Sequence, residues 1–232
     1  MSIAIFLPPQ YAQCMYLGKT IGACLLMAGN GSRFGGDVPK QFLMLGAKPI
    51  YLHALDTLVA SRLFDEIILV CHPEWMDLPH DGIVRGGATR QESSYRGLKG
   101  FKAPPDIVLI HDAVRPFVTE RILRDNIETA IQYGAADTCI PSADTLVHAP
   151  DGKTLAAIPN RRELFRGQTP QTFRMDWILH AHEQTQISNA TDDCQLVLKM
   201  GKPIHLVLGD EKNLKITTDF DLLIAEQIYT QV

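Results

Sequence analysis

Several features that would give an easy assignment are missing from this chain. There is no surplus of positive charge: 22 Lys and Arg against 26 Asp and Glu leave a net −4. That balance argues against nucleic acid or an anionic membrane as a partner, because nothing is left over to neutralise phosphates in bulk. There is no C-x-x-C. The five cysteines (14, 24, 71, 139 and 194) are odd in number and scattered, so neither a disulfide framework nor a zinc site is expected, and a reducing cytoplasmic setting fits. Long apolar runs are absent too. Ile3 to Leu7 is stopped by Pro8-Pro9 and lacks a preceding basic segment, which suits neither a membrane span nor a secretory signal. Residues 1–20 read as an extension, with Met15 a candidate start. What is present is 232 residues, 46% hydrophobic and 21% charged, enough for one globular domain with a substantial core.

The stretch Ile21 to Gln41 organises the rest. Ile21 to Leu26 carries no charge and reads as a buried strand. A loop follows with Gly29, Gly31, Gly35 and Gly36, then Pro39, with Arg33 and Lys40 as its cations. Glycines let main-chain N–H groups approach a ligand closely, and two cations beside them suit a polyphosphate. An ordinary strand-to-helix turn is the plain alternative. Phe34 stands where a dinucleotide fingerprint needs its third glycine, and no stretch completes the G-x-x-x-x-G-K-[ST] of a P-loop.

Beyond Pro49 the chain alternates. Helical spacing runs over Ile50 to Ser61, strands over Glu66 to Cys71 and Ile107 to Ile110, a helix over Thr119 to Tyr133 and a strand over Ala135 to Pro141. Thr119 is the expected N-cap of that helix and Gly134 its stop. A helix through Lys199, a strand Ile204 to Leu208 and a helix Phe220 to Tyr229 close the chain. This order predicts an α/β fold: one Rossmann-like domain over 21–232, with a mainly parallel sheet and helices on both faces. Ligands then gather at the carboxyl ends of the strands, where the glycine loop sits.

Other stretches carry candidate chemistry. Gly86-Gly87 ends a strand and Thr89 can cap a helix bearing Tyr95 and Leu98 inward; by itself this is an amphipathic helix after a glycine turn. In H-D-A-V-R-P-F (111–117), Asp112 and Arg115 follow a buried strand directly, a costly place for charge unless it is paired or liganded. They can bridge each other, or Asp112 can hold a cation. His111 has no second His or Cys to support a transition metal and reads as structural. Asp144 to Val147 and Lys153 to Ile158 flank Pro150-Asp151-Gly152 and predict a β-hairpin arm over about 143–162. Its Leu146, Val147, Leu155 and Ile158 need cover, for which a second subunit is the expected source.

The loop A-G-x-G-x-R with P-K-Q resembles that of nucleotidyltransferases which join a nucleoside triphosphate to a sugar or polyol phosphate. With the other motifs in order over residues 21 to 230, the chain resembles the cytidylyltransferases of isoprenoid and teichoic-acid precursor synthesis. The resemblance implies transfer of CMP from CTP to a polyol phosphate with release of pyrophosphate, Mg²⁺ as cofactor, and a homodimer joined through the arm. It implies catalytic roles for Arg33, Lys40 and Lys215, and Asp112 as metal ligand. Met27, Ala28, Gly29, Gly31, Gly87, Ser93, Asp112 and Ala113 match nucleotide-binding positions. Arg115, Thr145, Arg161, Thr169 and Thr191 match acceptor-binding ones. Ala88 departs from the family, which usually has an acidic residue there. The arm sequence and the H-D-A-V-R-P-F run resemble the D-ribitol 5-phosphate branch more than the 2-C-methyl-D-erythritol 4-phosphate branch, which is the alternative. A non-catalytic nucleotide-binding protein is a further reading; a dinucleotide-dependent dehydrogenase is disfavoured by Phe34.

Overall fold

The computed structural model describes residues 15–29, 38–184 and 190–231. Gly31 and Arg33 of the glycine loop, and most of the expected extension, lie outside these described residues. The uncharged run becomes β1 (Ile21–Met27), buried along its whole length. Successive strand side chains point to opposite faces. Ile21, Ala23, Leu25 and Met27 therefore enter one core, while Cys24 and Leu26 enter the other. After β1 come a small antiparallel pair, β2 (Met44–Leu45) and β3 (Lys48–Pro49), then α1 (Ile50–Ser61), β4 (Glu66–Cys71), β5 (Ile83–Arg85) and α2 (Arg90–Leu98). The chain continues through β6 (Ile107–Asp112), α3 (Glu120–Tyr133), β7 (Ala135–Pro141), β8 (Phe165–Arg174) and α4 (Met175–Gln184). It ends with α5 (Cys194–Lys199), β9 (His205–Leu208) and α6 (Asp219–Tyr229).

Seven strands make one sheet in the order β5-β4-β1-β6-β8-β7-β9. β1 pairs in parallel with β4 and β6, β4 with β5, and β7 with β9. Helices cover both faces: α1 and α3 close one core, and α2, α4 and α5 close the other. From β1 the chain steps outward to β4 and β5, then crosses back to place β6 on β1's other side. The order therefore reverses between β1 and β6. In open α/β sheets such a switch point leaves a crevice beyond the strands' carboxyl ends. Both the glycine loop after β1 and Asp112 at the end of β6 border it.

The helix signals hold in detail. Thr119 Oγ1 accepts the Ile122 N–H, and Gly134 ends α3 at φ +97°, a conformation that favours glycine. Thr89 caps α2 in the same way, and Thr218 caps α6 in a reciprocal pair with Asp221. Leu98 is buried, whereas Tyr95 is only half-buried, stacked on His182.

The stretch G-Q-T-P-Q-T-F (167–173) forms the core of β8, antiparallel to both β6 and β7. The expected hairpin needs correction. The arm itself is no regular hairpin, since only His148 and Ala157 form a bridge. An isolated two-stranded ribbon with no surface to pack on is marginal, and Leu146, Val147, Leu155 and Ile158 are all exposed. The end of the expected extension is not loose, because the Tyr16 hydroxyl bonds Glu128 at 2.6 Å and Arg124 at 2.8 Å. Among the described residues no helix is long and apolar enough to cross a membrane.

Candidate active site

Asp112 is the last residue of β6 and aligns with Leu26 of β1. The N–H of Ala113 donates to the Leu26 carbonyl at 3.0 Å, so the segment after β6 is fastened where the glycine loop begins. Gln41 fixes that beginning from the other side: its Nε2 donates to the carbonyls of Met27 and Gly29 at 2.8 and 3.1 Å. The Met27 side chain lies in the core, and its carbonyl is engaged by Gln41. Lys40, in the turn Lys40–Phe42, stands next to Gln41.

Three cations surround Asp112. Lys215 Nζ meets Oδ2 at 2.7 Å, and Arg90 Nε stands 3.7 Å from Oδ1. Arg115, nearly buried, donates from Nη1 to the Asn213 carbonyl at 2.8 Å. Burial alone would favour a neutral Asp112. Lys215, Arg90 and Arg115 outweigh it and hold this carboxyl well below the usual carboxylate range. Lys215 is placed by its neighbours: Ile216 N–H donates to the Val114 carbonyl, and Asn213 Nδ2 to the Thr169 carbonyl.

Thr169 works from inside. Its buried Oγ1 accepts the Asp112 N–H at 3.1 Å and lies 3.0 Å from His111 Nδ1. In this arrangement the hydroxyl that the resemblance assigns to the acceptor is engaged in fixing Asp112. His111 Nε2 lies 3.2 Å from the Arg115 carbonyl. A neutral ring protonated on Nε2 satisfies both neighbours. Burial, which pushes the His111 pKa down to about 4, agrees. His111 is structural.

The glycine turn before α2 meets this crevice. A Cβ on Gly86 would collide with the Ala28 side chain, so only glycine lets the turn pack this closely against the start of the glycine loop. Gly87 N–H donates to Ser93 Oγ at 3.0 Å, and Ser93 Oγ donates in turn to the Thr89 carbonyl. Where an acidic residue is usual, the Ala88 N–H is instead accepted by Glu92 Oε2 at 2.8 Å, and Arg96 ties Glu92 to the Gly86 carbonyl.

The structure thus gathers Ala28, Gly29, Gly87, Ser93, Asp112, Ala113, Arg115, Thr169 and Lys215 around one crevice. It does not gather all the expected residues. Thr145 and Arg161 lie exposed on the arm, where the Arg161 guanidinium donates to the Ala143 carbonyl. Thr191 is exposed and accepts from Gln195 at the start of α5. Two residues beside the site went unnoticed in the sequence. Arg90 Nη1 pairs with the buried Asp193 at 2.7 Å, and His182 reaches the other oxygen of Asp193 at 3.1 Å. A cation on the first residue of a helix opposes the helix dipole, and that was the available signal.

For a magnesium ion the donor set fits in one respect. Mg²⁺ needs only one or two carboxylates when phosphates and water complete its shell, and Asp112 Oδ1 stands beyond hydrogen-bond reach of Arg90. Among the described residues no cluster of three or more His, Cys, Asp or Glu could hold a metal by itself.

A family model for 2-C-methyl-D-erythritol 4-phosphate cytidylyltransferase (IspD) matches residues 21–231. Among solved structures, the 4-diphosphocytidyl-2C-methyl-D-erythritol synthase of Anaerococcus prevotii is 31% identical with a TM-score of 0.81, over 93% of this chain and 100% of that one. The 2-C-methyl-D-erythritol 4-phosphate cytidylyltransferase of Thermus thermophilus is 32% identical, TM-score 0.75, over 89% and 98%. The Francisella tularensis enzyme is 26% identical, TM-score 0.77, over 90% and 99%. The ribitol branch favoured from the arm residues gains no support from these matches. Within one chain Thr145 and Arg161 of the arm sit exposed, whereas Asp112 and Arg115 of the H-D-A-V-R-P-F run are buried in the crevice.

Proposed function

Because the chain belongs to the 2-C-methyl-D-erythritol 4-phosphate cytidylyltransferase family, we propose that it transfers CMP from CTP to 2-C-methyl-D-erythritol 4-phosphate. A phosphate oxygen of the acceptor attacks the α-phosphorus in line. The bond from that phosphorus to the bridging oxygen breaks, and pyrophosphate leaves with the electron pair. A phosphate dianion is already nucleophilic at neutral pH, so no general base is needed, and the protein's work is positioning and charge stabilisation.

Lys215, Lys40 and Arg33 face the α-phosphate and offset the charge that grows on it. Gly87, Ala88 and the main chain at Ala28 and Gly29 receive the nucleotide, with Ser93 and Glu92 shaping the turn. Asp112 would hold a magnesium ion, whose chemistry would be to neutralise phosphate charge. Arg115 and Thr191 face the acceptor. The apolar residues of the arm favour a homodimer in which Thr145 and Arg161 serve the neighbouring site.

The observation that carries this reading is the Lys215–Asp112 pair at the switch point, beside the start of the glycine loop. It supports the reading because a cation and a carboxylate stand together beside the start of a loop whose composition suits a polyphosphate. The test is pyrophosphate release from CTP and Mg²⁺ with 2-C-methyl-D-erythritol 4-phosphate and, in parallel, with D-ribitol 5-phosphate. Turnover with the first alone is expected. Turnover with the second alone would refute the acceptor assignment, and CTP binding without release from either would refute catalysis.

A further inference from the structure

Arg90 joins parts of the molecule that are far apart in sequence. It begins α2, directly after the turn that meets the glycine loop. Its Nη1 is hydrogen-bonded to Asp193, while its Nε stops 3.7 Å short of Asp112. Asp193 is fully buried and gripped from several sides: His182 Nε2 reaches Oδ1, and the Asp193 N–H donates to Gln171 Oε1 of β8 at 3.1 Å. The neighbouring Gln91 accepts the Ala190 N–H at 2.9 Å. Two consecutive residues of α2 therefore hold the segment that carries Thr191. The unequal distances matter. Asp193 takes the guanidinium's hydrogen bond, so Arg90 stays near Asp112 without occupying Oδ1.

We propose that Arg90 is a positioning residue for the transfer: Asp193 holds it back from Asp112, and it sets the nucleotide turn and the Thr191 segment as one unit. This rests on the cytidylyl-transfer reading. If Asp193 loses its charge, Arg90 closes on Asp112 and takes up the carboxylate oxygen that would otherwise be open to the cation accompanying the nucleotide. If Arg90 is shortened to an ammonium it cannot span both carboxylates, and the Thr191 segment loses its register.

The test is a cycle of Arg90→Gln, Asp193→Asn and the double variant, with Arg90→Lys alongside. Melting temperature, KM for each substrate, kcat and calorimetric CTP affinity are read for each. Each single neutral variant breaks the buried Arg90–Asp193 pair and is expected to melt lower. The double variant should recover its melting temperature while its acceptor KM stays raised about tenfold. Arg90→Lys, which keeps a buried positive charge beside Asp193, should fold normally and show a similar rise in KM with little change in kcat. Asp193→Asn should bind CTP about tenfold more weakly by calorimetry, a readout that needs no turnover. Recovery of KM together with melting temperature in the double variant would make the pair merely structural and overturn the proposal. Wild-type KM in Arg90→Lys, or unchanged CTP affinity in Asp193→Asn, would overturn it too. If wild-type protein transfers nothing, the parent reading fails separately, and the calorimetric comparison still decides the positioning.

Discussion

Lys215 and Asp112 differ sharply in exposure: the lysine's side chain is 38% accessible and the carboxylate's 9%. The buried partner is fixed by main chain and by Thr169, so the lysine is the one free to turn toward a bound phosphate. Lys215→Ala should lower kcat/KM by about 10²–10³-fold without loss of structure, as steady-state kinetics and circular dichroism would show. Asp193 gives an acid signature. Burial raises its pKa, yet Arg90 and His182 prevail and bring it from 3.8 down to about 2. A depressed carboxylate stabilises the fold above its unfolded pKa and loses that contribution as pH falls through its folded one. Between about pH 4 and pH 2 the protein should lose ~2 kcal/mol through this group, and Asp193→Asn should flatten that part of a stability–pH curve. At this scale the sequence disclosed residues inside recognisable motifs, such as Asp112 and Lys215. Arg90 and Asp193 were obscured because their meaning lies in a contact between positions 103 apart in the chain. Thr169 was visible, but its inward orientation was not.

Among the elements, α3 was legible to the residue because its boundaries are local chemistry: a threonine cap at one end, a left-handed glycine at the other. Those ends make checkable claims. Thr119→Ala should cost about 1 kcal/mol in urea unfolding. Gly134→Ala should cost about 1–2 kcal/mol or more, because φ is +97° and a methyl there would strike the Trp177 ring. Neither should change KM, since both ends lie outside the crevice. β8 was illegible for the opposite reason. Strand reading relies on apolar alternation, but Gln168, Thr169, Gln171 and Thr172 are polar and buried. Pro170 argues against an interior strand; here it sits where the pairing with β7 shifts register between Asp137 and Cys139. The polar groups are largely repaid by partners remote in sequence: Gln168 bonds Asp210, Gln171 bonds Asp137, and Pro170 O accepts from Thr138. No sequence window contains that information.

For the whole molecule, strand order fixes the position of the chemistry. Reversal between β1 and β6 brings the glycine loop, the turn before α2, Asp112 and Lys215 to one end of one sheet. Alternation of strands and helices made this arrangement legible, whereas the acceptor was not, because polyol phosphates of similar size share the same charge and the arm residues stand apart. The arm also bears on assembly. With Val147 and Ile158 exposed, Val147→Glu with Ile158→Glu should shift sedimentation toward the monomer and lower kcat, if a second copy covers them. A wild-type protein that sediments as a monomer at assay concentration would remove the arm from the mechanism.

The central claim is transfer of a cytidylyl group, and isotope placement tests it most directly. CTP labelled with ³²P at the α-phosphate is incubated with the protein, Mg²⁺ and 2-C-methyl-D-erythritol 4-phosphate, and the products are separated. Label should move into a diphosphate product containing the acceptor, while label placed at the γ-phosphate should leave as pyrophosphate. Label recovered as CMP, or retained in CTP, would contradict the account.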